Sequence, residues 1–525
     1  MSPRKYPKQI VVLGFDAMDI DLVRSWARAG YLPTFQELFE TCAWSDFQHP
    51  PEYSSGTVWS SINTGLPPHE HDFYYFGRFL KESYHMRIGR PSDLRGQFYW
   101  RWFAEASRRI VIADVPFSTL QPELGGLQYW GWGQHDWTTQ RASVPRRLLQ
   151  DLTAQFGRHP VRSCGRYATT SASLRQLKAG LLDGIRRRTA LLRSLIEHEQ
   201  WDLFYAGFCE AHCAGHLMWQ LEDQAHPQHS TEQLALVGHG LRDVYGALDR
   251  ALSELMAACP PQTAWVVFFS HGMGPNYHAD HLFPEFLRRF HQRWHNGAEP
   301  PPPADESHIQ GRCATLWQHS VGRIPATWRH RIESCLPADV RSWLMLKRDQ
   351  NPKGWARMPG FALPFLDAFS ALRVNLVGRE AAGRMTGGDA YDAYLDALAA
   401  ELFSLQHADT GEPAVEALYR PDAHAEPAAF GAAPDMVIWW RKSRPFRTLR
   451  SPGLGTMMGE PFDVRPGEHI MHGMLLVSHA RAKSGYQPTD GVTALDIAPT
   501  ICGLAGLQPP RPLAGMDRCR DWLSL

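Results

Sequence analysis

Three times along this chain an unbroken apolar run stops at a side chain able to hold a metal ion. Ile10 to Phe15 ends at Asp16, Leu203 to Phe208 leads into Glu210 and His212, and Ala264 to Phe269 delivers Ser270 and His271. Runs this short and this continuous read as strands buried on both faces, which is the pattern of a parallel sheet. Open α/β sheets place their ligands beyond the carboxyl ends of such strands. The fold class expected is therefore α/β, with chemistry gathered at one edge of the sheet.

Helices are expected between these strands. Asp19 is placed to cap a helix with Leu22, Val23 and Trp26 on its inner face, and Gly30 to Pro33 breaks it before a short helix from Thr34 to Phe39. Shorter signals predict a helix around Trp102 to Arg108 and a strand from Ile110 to Ala113. Leu174 to Glu199 reads as one long amphipathic helix. Leu234, Val237, Leu241, Val244, Leu248, Leu252 and Leu255 form a further helical stripe. Ala371 to Leu376 alternates like a half-buried strand, and Met436 to Trp440 and Met474 to Ser478 read as buried ones. Asp496 opens a last helix with Pro499 in its first turn. The chain has no internal repeat, no GxGxxG fingerprint and no Walker motif.

The stretch from Pro50 to His71 is dense in hydroxyls: Ser54, Ser55, Thr57, Ser60, Ser61 and Thr64 lie between a Pro-Pro break and Thr64-Gly65. A hydroxyl at the first turn of a helix sits among free N–H groups that favour an anion. Such a residue attacks acyl, phosphoryl or sulfuryl centres once its pKa is lowered. Read by itself, the stretch is better explained as a capped helix with a polar first turn. His212 and His216, four apart after a buried strand, share a helix face and suit one metal ion. Further on, Gly467-Glu468-His469-Ile470-Met471-His472-Gly473 precedes the strand at Met474.

Lys and Arg together number 54 and so do Asp and Glu, which leaves no basic field for nucleic acid. The 25 histidines are the unusual feature. No stretch is apolar enough to span a bilayer, and the N-terminal run lacks the length of a secretory leader. Nine cysteines without paired spacing predict reduced thiols and a cytoplasmic protein.

In order, these motifs resemble the alkaline phosphatase superfamily, in its type I phosphodiesterase/nucleotide pyrophosphatase branch. The resemblance is carried by Gly14-Phe15-Asp16, Ser55 ahead of Thr64-Gly65 and His71, His212-x-x-x-His216, Ser270-His271-Gly272, His469, and Leu495-Asp496-Ile497-Ala498-Pro499-Thr500. It implies a mixed, largely parallel central sheet between helical layers, one catalytic domain with cap insertions at about 75–175 and 280–460. It also implies that Ser55 is the nucleophile and a metal ligand, with Ser54 and Thr57 the alternative registers. Asp16 and His271 would bind the same ion as Ser55, and His216 and His469 a second.

Two positions depart from that pattern: His212 and Ser270 stand where the family usually has Asp. The first departure leaves a three-histidine set, His212, His216 and His469, suited to zinc, with manganese or another divalent ion as the alternative. The second removes a carboxylate beside Asp16, for which Glu210 or Asp19 are candidate substitutes. The activity implied is metal-dependent hydrolysis of a small phosphate mono- or diester through phospho-Ser55. A biosynthetic phosphoryl-type transferase and a metal-poor binding protein of the same fold are the alternatives. No nucleic acid or membrane partner is expected, and the oligomeric state is open.

Overall fold

A computed structural model describes residues 7–80, 82–133, 141–161, 169–294, 350–364, 366–367, 369–421, 433–461, 465–488 and 491–524. Its central element is a mixed sheet of eight strands. They run in the order Ala43–Gln48, His472–Ser478, Ala264–Phe269, Ile10–Phe15, Leu203–Phe208, Ile110–Ala113, Leu127–Trp130 and Ala142–Val144. Ile10–Phe15 lies parallel to both neighbours, with Phe15 level with Phe208 and Phe269. The same three strands that end in polar residues are thus adjacent, and their ends are in register. The two outer strands on one side and the last strand on the other pair antiparallel.

The alternation of side chains along a strand divides the core. Val11, Leu13 and Phe15 face one apolar layer, built with the helices Ser171–His198 and Gly240–Ala258. Ile10 and Val12 face the other, which includes Val58, Trp59 and Ile62 of the helix Ser55–Thr64 and Ile497 and Ile501 of the helix Ile497–Ala505. Both faces are covered, which is why these strands read as continuous apolar runs.

The helix Ser55–Thr64 is buried from Gly56 to Thr64 although half of it is polar. Its side chains satisfy one another and their neighbours. Ser60 Oγ donates to the Gly56 carbonyl and Thr64 Oγ1 to that of Ser60, both at 2.7 Å. Asn63 donates to the Pro116 carbonyl and accepts from the Tyr205 hydroxyl, each at 2.9 Å. Burying hydroxyls without such partners costs about 1–3 kcal/mol each. Gly65 ends the helix at φ 69°, a left-handed turn that glycine adopts without steric cost.

Beyond the central sheet, Gly360–Ala362, Ser370–Val374, Met436–Trp440 and Val415–Tyr419 form a four-stranded antiparallel sheet. It packs with the helices Phe283–Trp294 and Asp389–Phe403 in a separate apolar cluster. Met436–Trp440 therefore belongs to this outer sheet and not to the central one. Ser370–Val374 is buried throughout instead of alternating, because it is an inner strand covered on both sides.

Other sequence expectations are adjusted here. The stretch 75–175, read above largely as a cap, contributes three strands to the central sheet. The stripe from Leu234 to Leu255 is two helices, Thr231–Val237 and Gly240–Ala258, divided where Gly238 takes φ 75°. Asp496 makes no capping bond to the helix it precedes; its carboxylate accepts instead from Arg518 at 2.7 Å and from the Met516 amide at 2.8 Å. Cys42, Cys209, Cys259, Cys502 and Cys519 are free thiols, but Cys213 is disulfide-bonded, so the expectation of reduced thiols fails there. Spacing along a chain does not reveal which thiols a fold brings within bonding distance. Residues 134–140 and 295–349 lie outside the described residues.

Among the described residues no helix is long and apolar enough to cross a membrane.

Candidate active site

Asp16 follows the central strand, where its Oδ1 accepts from the Trp59 indole at 2.7 Å and the Ser270 hydroxyl at 3.2 Å. Ser270 thus holds Asp16 in place of adding a second carboxylate. His271 Nε2 lies 3.4 Å from the same oxygen. Burial opposes ionisation of Asp16, yet the facing His212 and His271 and the Trp59 N–H outweigh it and keep its pKa below the usual value.

His212 and His216 lie on the helix Glu210–Glu222, and their rings stand 4.5 Å apart, centroid to centroid. His469 arrives from a different direction. It is on the short strand Gly467–Ile470, paired antiparallel to Gly272–Pro275 so that His469 is level with Met273. That strand can lie against the helix because Gly467 has no side chain: a Cβ there would collide with the Gly215 carbonyl. The close approach lets His216 Nδ1 reach the Gly467 carbonyl at 2.8 Å. The His469 ring is then 5.0 Å from His212, 4.7 Å from His216 and 4.4 Å from His271. Donor atoms of His212, His216 and His469 all lie within 4.8 Å of one another.

Burial pushes the pKa values of His212 and His216 well down, and burial together with His469 brings that of His271 to about 4. Neutral imidazole is the form that offers a lone pair. His469 Nε2 and His271 Nε2 are buried and make no hydrogen bond. Unpaired buried nitrogens are costly, and several converging ones suit a cation better than they suit a folded core.

Ser55 is the first residue of its helix. Ser54 caps that helix by accepting from the Thr57 amide, and its hydroxyl lies 2.9 Å from the Thr57 hydroxyl. Thr57 donates onward to the Tyr74 carbonyl at 2.8 Å. Both alternative hydroxyls are buried and engaged, whereas Ser55 is half-buried. Its amide donates to Asp367 Oδ2 at 3.0 Å.

Several residues near the site escaped the sequence reading. Asp367 is in the loop between Gly360–Ala362 and Ser370–Val374, and it has no flanking motif that could have revealed it. It also lies 3.2 Å from His469 Nδ1. Burial would raise its pKa, but the bonds from His469 and Ser55 hold it far below the ordinary carboxylate value. Lys442 donates to the His469 carbonyl at 2.8 Å, and burial brings its pKa to about 8 against the pull of Glu468 and Asp367. Trp59 stood in view within the hydroxyl-rich stretch, but nothing marked its indole as a partner of Asp16.

Neither candidate substitute for the lost carboxylate takes that position. Asp19 caps the helix Ile20–Arg28, accepting from the Leu22 amide at 2.9 Å. Glu210 points to Arg188 at 2.9 Å and His159 at 3.1 Å. His71 is bonded to Ser61 at 3.0 Å, away from the histidine group. Arg373, Arg379 and Glu380 pair with one another and with Asp435 inside the outer sheet.

The carboxyl edge of the mixed central sheet thus gathers Asp16, Ser270 and His271 beside the imidazoles of His212, His216 and His469. Residues 10–366 match the family model for type I phosphodiesterase/nucleotide pyrophosphatase, and the chain belongs to that family. No curated relative matches it. Among solved structures, phosphonoacetate hydrolase from Sinorhizobium meliloti 1021, in complex with phosphonoacetate, is similar at TM-score 0.48 and 13% identity, covering 95% of this chain and 96% of that one. Murine ectonucleotide pyrophosphatase/phosphodiesterase 5 is similar at TM-score 0.46 and 11% identity, covering 98% and 100%. An inactive variant of the murine protein in complex with AMP gives TM-score 0.43 at 11% identity, again covering 98% and 100%.

Proposed function

We propose that this protein is a metal-dependent phosphoric ester hydrolase acting on small phosphate di- or monoesters through a phospho-Ser55 intermediate. The observation that carries the reading is the gathering of His212, His216 and His469 donors within 4.8 Å, beside Asp16 and His271. The donor set fits a divalent cation: the imidazoles of His212 and His216, kept neutral by their surroundings, the unbonded Nε2 atoms of His271 and His469, and one carboxylate. Three imidazoles favour zinc, and manganese is the poorer match because it prefers oxygen ligands. His212, His216 and His469 would hold one ion; Asp16, His271 and the Ser55 hydroxyl would hold another. Bound there, divalent ions neutralise phosphate oxygens and lower the pKa of a hydroxyl.

The chain's own groups do the rest. Ser54 and Thr57 fix the first turn, so Ser55 is presented at a helix N-terminus, where the peptide dipoles favour an anionic substrate. Ser55 Oγ gives up its proton and bonds to phosphorus as the bond to the leaving oxygen breaks. Water then attacks the phosphoserine, releasing phosphate or its monoester and restoring the hydroxyl. Trp59 and Ser270 keep Asp16 oriented throughout. The outer sheet and its helices, from about 280–460, are read as a cap on a single catalytic domain.

The test is metal analysis of protein equilibrated with zinc, followed by hydrolysis of an aryl phosphate by the parent and by Ser55→Ala. Bound zinc and an inactive Ser55→Ala protein are expected. Absence of metal at equilibrium, with Ser55→Ala as fast as the parent, would sink the reading.

A further inference from the structure

We propose that Asp367 is a positioning residue that aims His469 at the metal and, through the same oxygen, fixes the start of the Ser55 helix. The inference rests on the metal-dependent reading above. It is carried by one carboxylate oxygen in two places: Asp367 Oδ2 is 3.2 Å from His469 Nδ1 and accepts from the Ser55 amide at 3.0 Å. An ionised carboxylate only accepts, so the imidazole donates to it from Nδ1. That bond fixes the ring and leaves Nε2, which is buried and makes no hydrogen bond, as the ligating atom. Carboxylate–histidine pairs of this kind orient metal ligands and raise their basicity.

Glu468 is the competing partner, and its engagements argue against it. Its Oε1 lies 3.4 Å from His469 Nδ1 but accepts from the His469 backbone amide at 2.9 Å. Its Oε2 accepts from Arg465 at 2.9 Å. Asp367 is the closer of the two and reaches the ring from another part of the chain, the outer-sheet hairpin. Its remaining oxygen, Oδ1, is buried without a hydrogen bond. The acidic group that His212 and Ser270 no longer supply is thus present near the site, though it comes from a residue one position past the family match.

The experiment measures zinc affinity by competition with a chromophoric chelator in the full-length protein, for the parent, Asp367→Asn and Asp367→Glu. Asp367→Asn is expected to bind zinc about ten- to a hundredfold more weakly, the usual loss when such a partner is removed. Asp367→Glu, which retains the charge, is expected to recover part of that loss. If the parent binds zinc and both variants stay within threefold of it, Asp367 does not act through His469 and the inference is overturned, while the hydrolase reading stands. If the parent binds no zinc, both fall together. Should Asp367→Asn lower the melting temperature of the metal-free protein, the decision passes to Asp367→Glu. Weakened zinc binding by a stably folded Glu variant supports the proposal, and parental affinity overturns it.

Discussion

One helix, Glu210–Glu222, serves two buried polar clusters of opposite character. At its first residue, Glu210 joins Arg188, Asp114 and His159. Arg188 donates to Glu210 at 2.9 Å, to Asp114 at 3.1 Å, and to the carbonyls of Gly207 and Gly133 at 3.0 and 2.7 Å. Half a turn on, His212 and His216 face His469, His271 and Asp16, where the Nε2 atoms of His271 and His469 make no hydrogen bond. The first cluster carries its own cation in the guanidinium, which its two carboxylates share. The second gathers electron-pair donors without one. Burial and titratable groups are common to both, and only the balance of donors and acceptors separates a scaffold from a reaction centre.

That contrast can be broken most directly at Ser55. Ser55→Ala is expected to lower kcat by about 10⁴-fold or more while the fold and zinc binding persist, measured by single-turnover hydrolysis of an aryl phosphate. The scaffold cluster should behave in the reverse manner. Arg188→Met strands Glu210 and Asp114 as buried anions and is expected to destabilise the protein by about 3–5 kcal/mol, read by denaturant unfolding. An Arg188→Met protein of unchanged stability but lost zinc binding would move Arg188 from scaffold to site.

Asp19 sharpens the boundary between the two roles. Burial, opposed by the Leu22 amide, raises its pKa from an ordinary 3.8 to about 6. The folded state then binds more protons than the unfolded one between those values, so this group's contribution is fully present below about pH 4 and is lost as pH rises through 6. At pH 8 the cost is about 3 kcal/mol. Asp19→Asn keeps an equally good cap and removes the charge. It is expected to be more stable than the parent at pH 8, with the gap closing by pH 4, and to bind zinc as the parent does. Loss of zinc binding would instead make Asp19 a ligand. The smallest effect is that of the metal itself: zinc at a hundred times its Kd should stabilise the protein by about 2.7 kcal/mol, and His216→Ala should abolish that gain in a thermal melt.

How much of this was legible depended on whether local pattern or tertiary approach placed a residue. The strands Ile10–Phe15, Ile110–Ala113, Leu203–Phe208 and Ala264–Phe269 have the limits their apolar runs suggest, because burial on both faces leaves no ambiguity of period. His212 and His216 announced themselves by spacing on one helix. His469 needed the resemblance, since its place depends on a glycine-to-glycine approach that no spacing records. Met436–Trp440 was recognisable as a strand but not by sheet, because an apolar run says that it is covered and not by what. Asp367 had no signal: an isolated aspartate in a loop looks the same whether it faces solvent or a nucleophile.

The loop that carries Asp367 touches both Ser55 and His469, although it hangs from the outer sheet. Chimeras that graft a different outer sheet onto this chain would therefore disturb the reactive hydroxyl itself, and not merely the doorway to it. Retuning such a protein for a new ester by exchanging that part calls for transplanting the aspartate along with it.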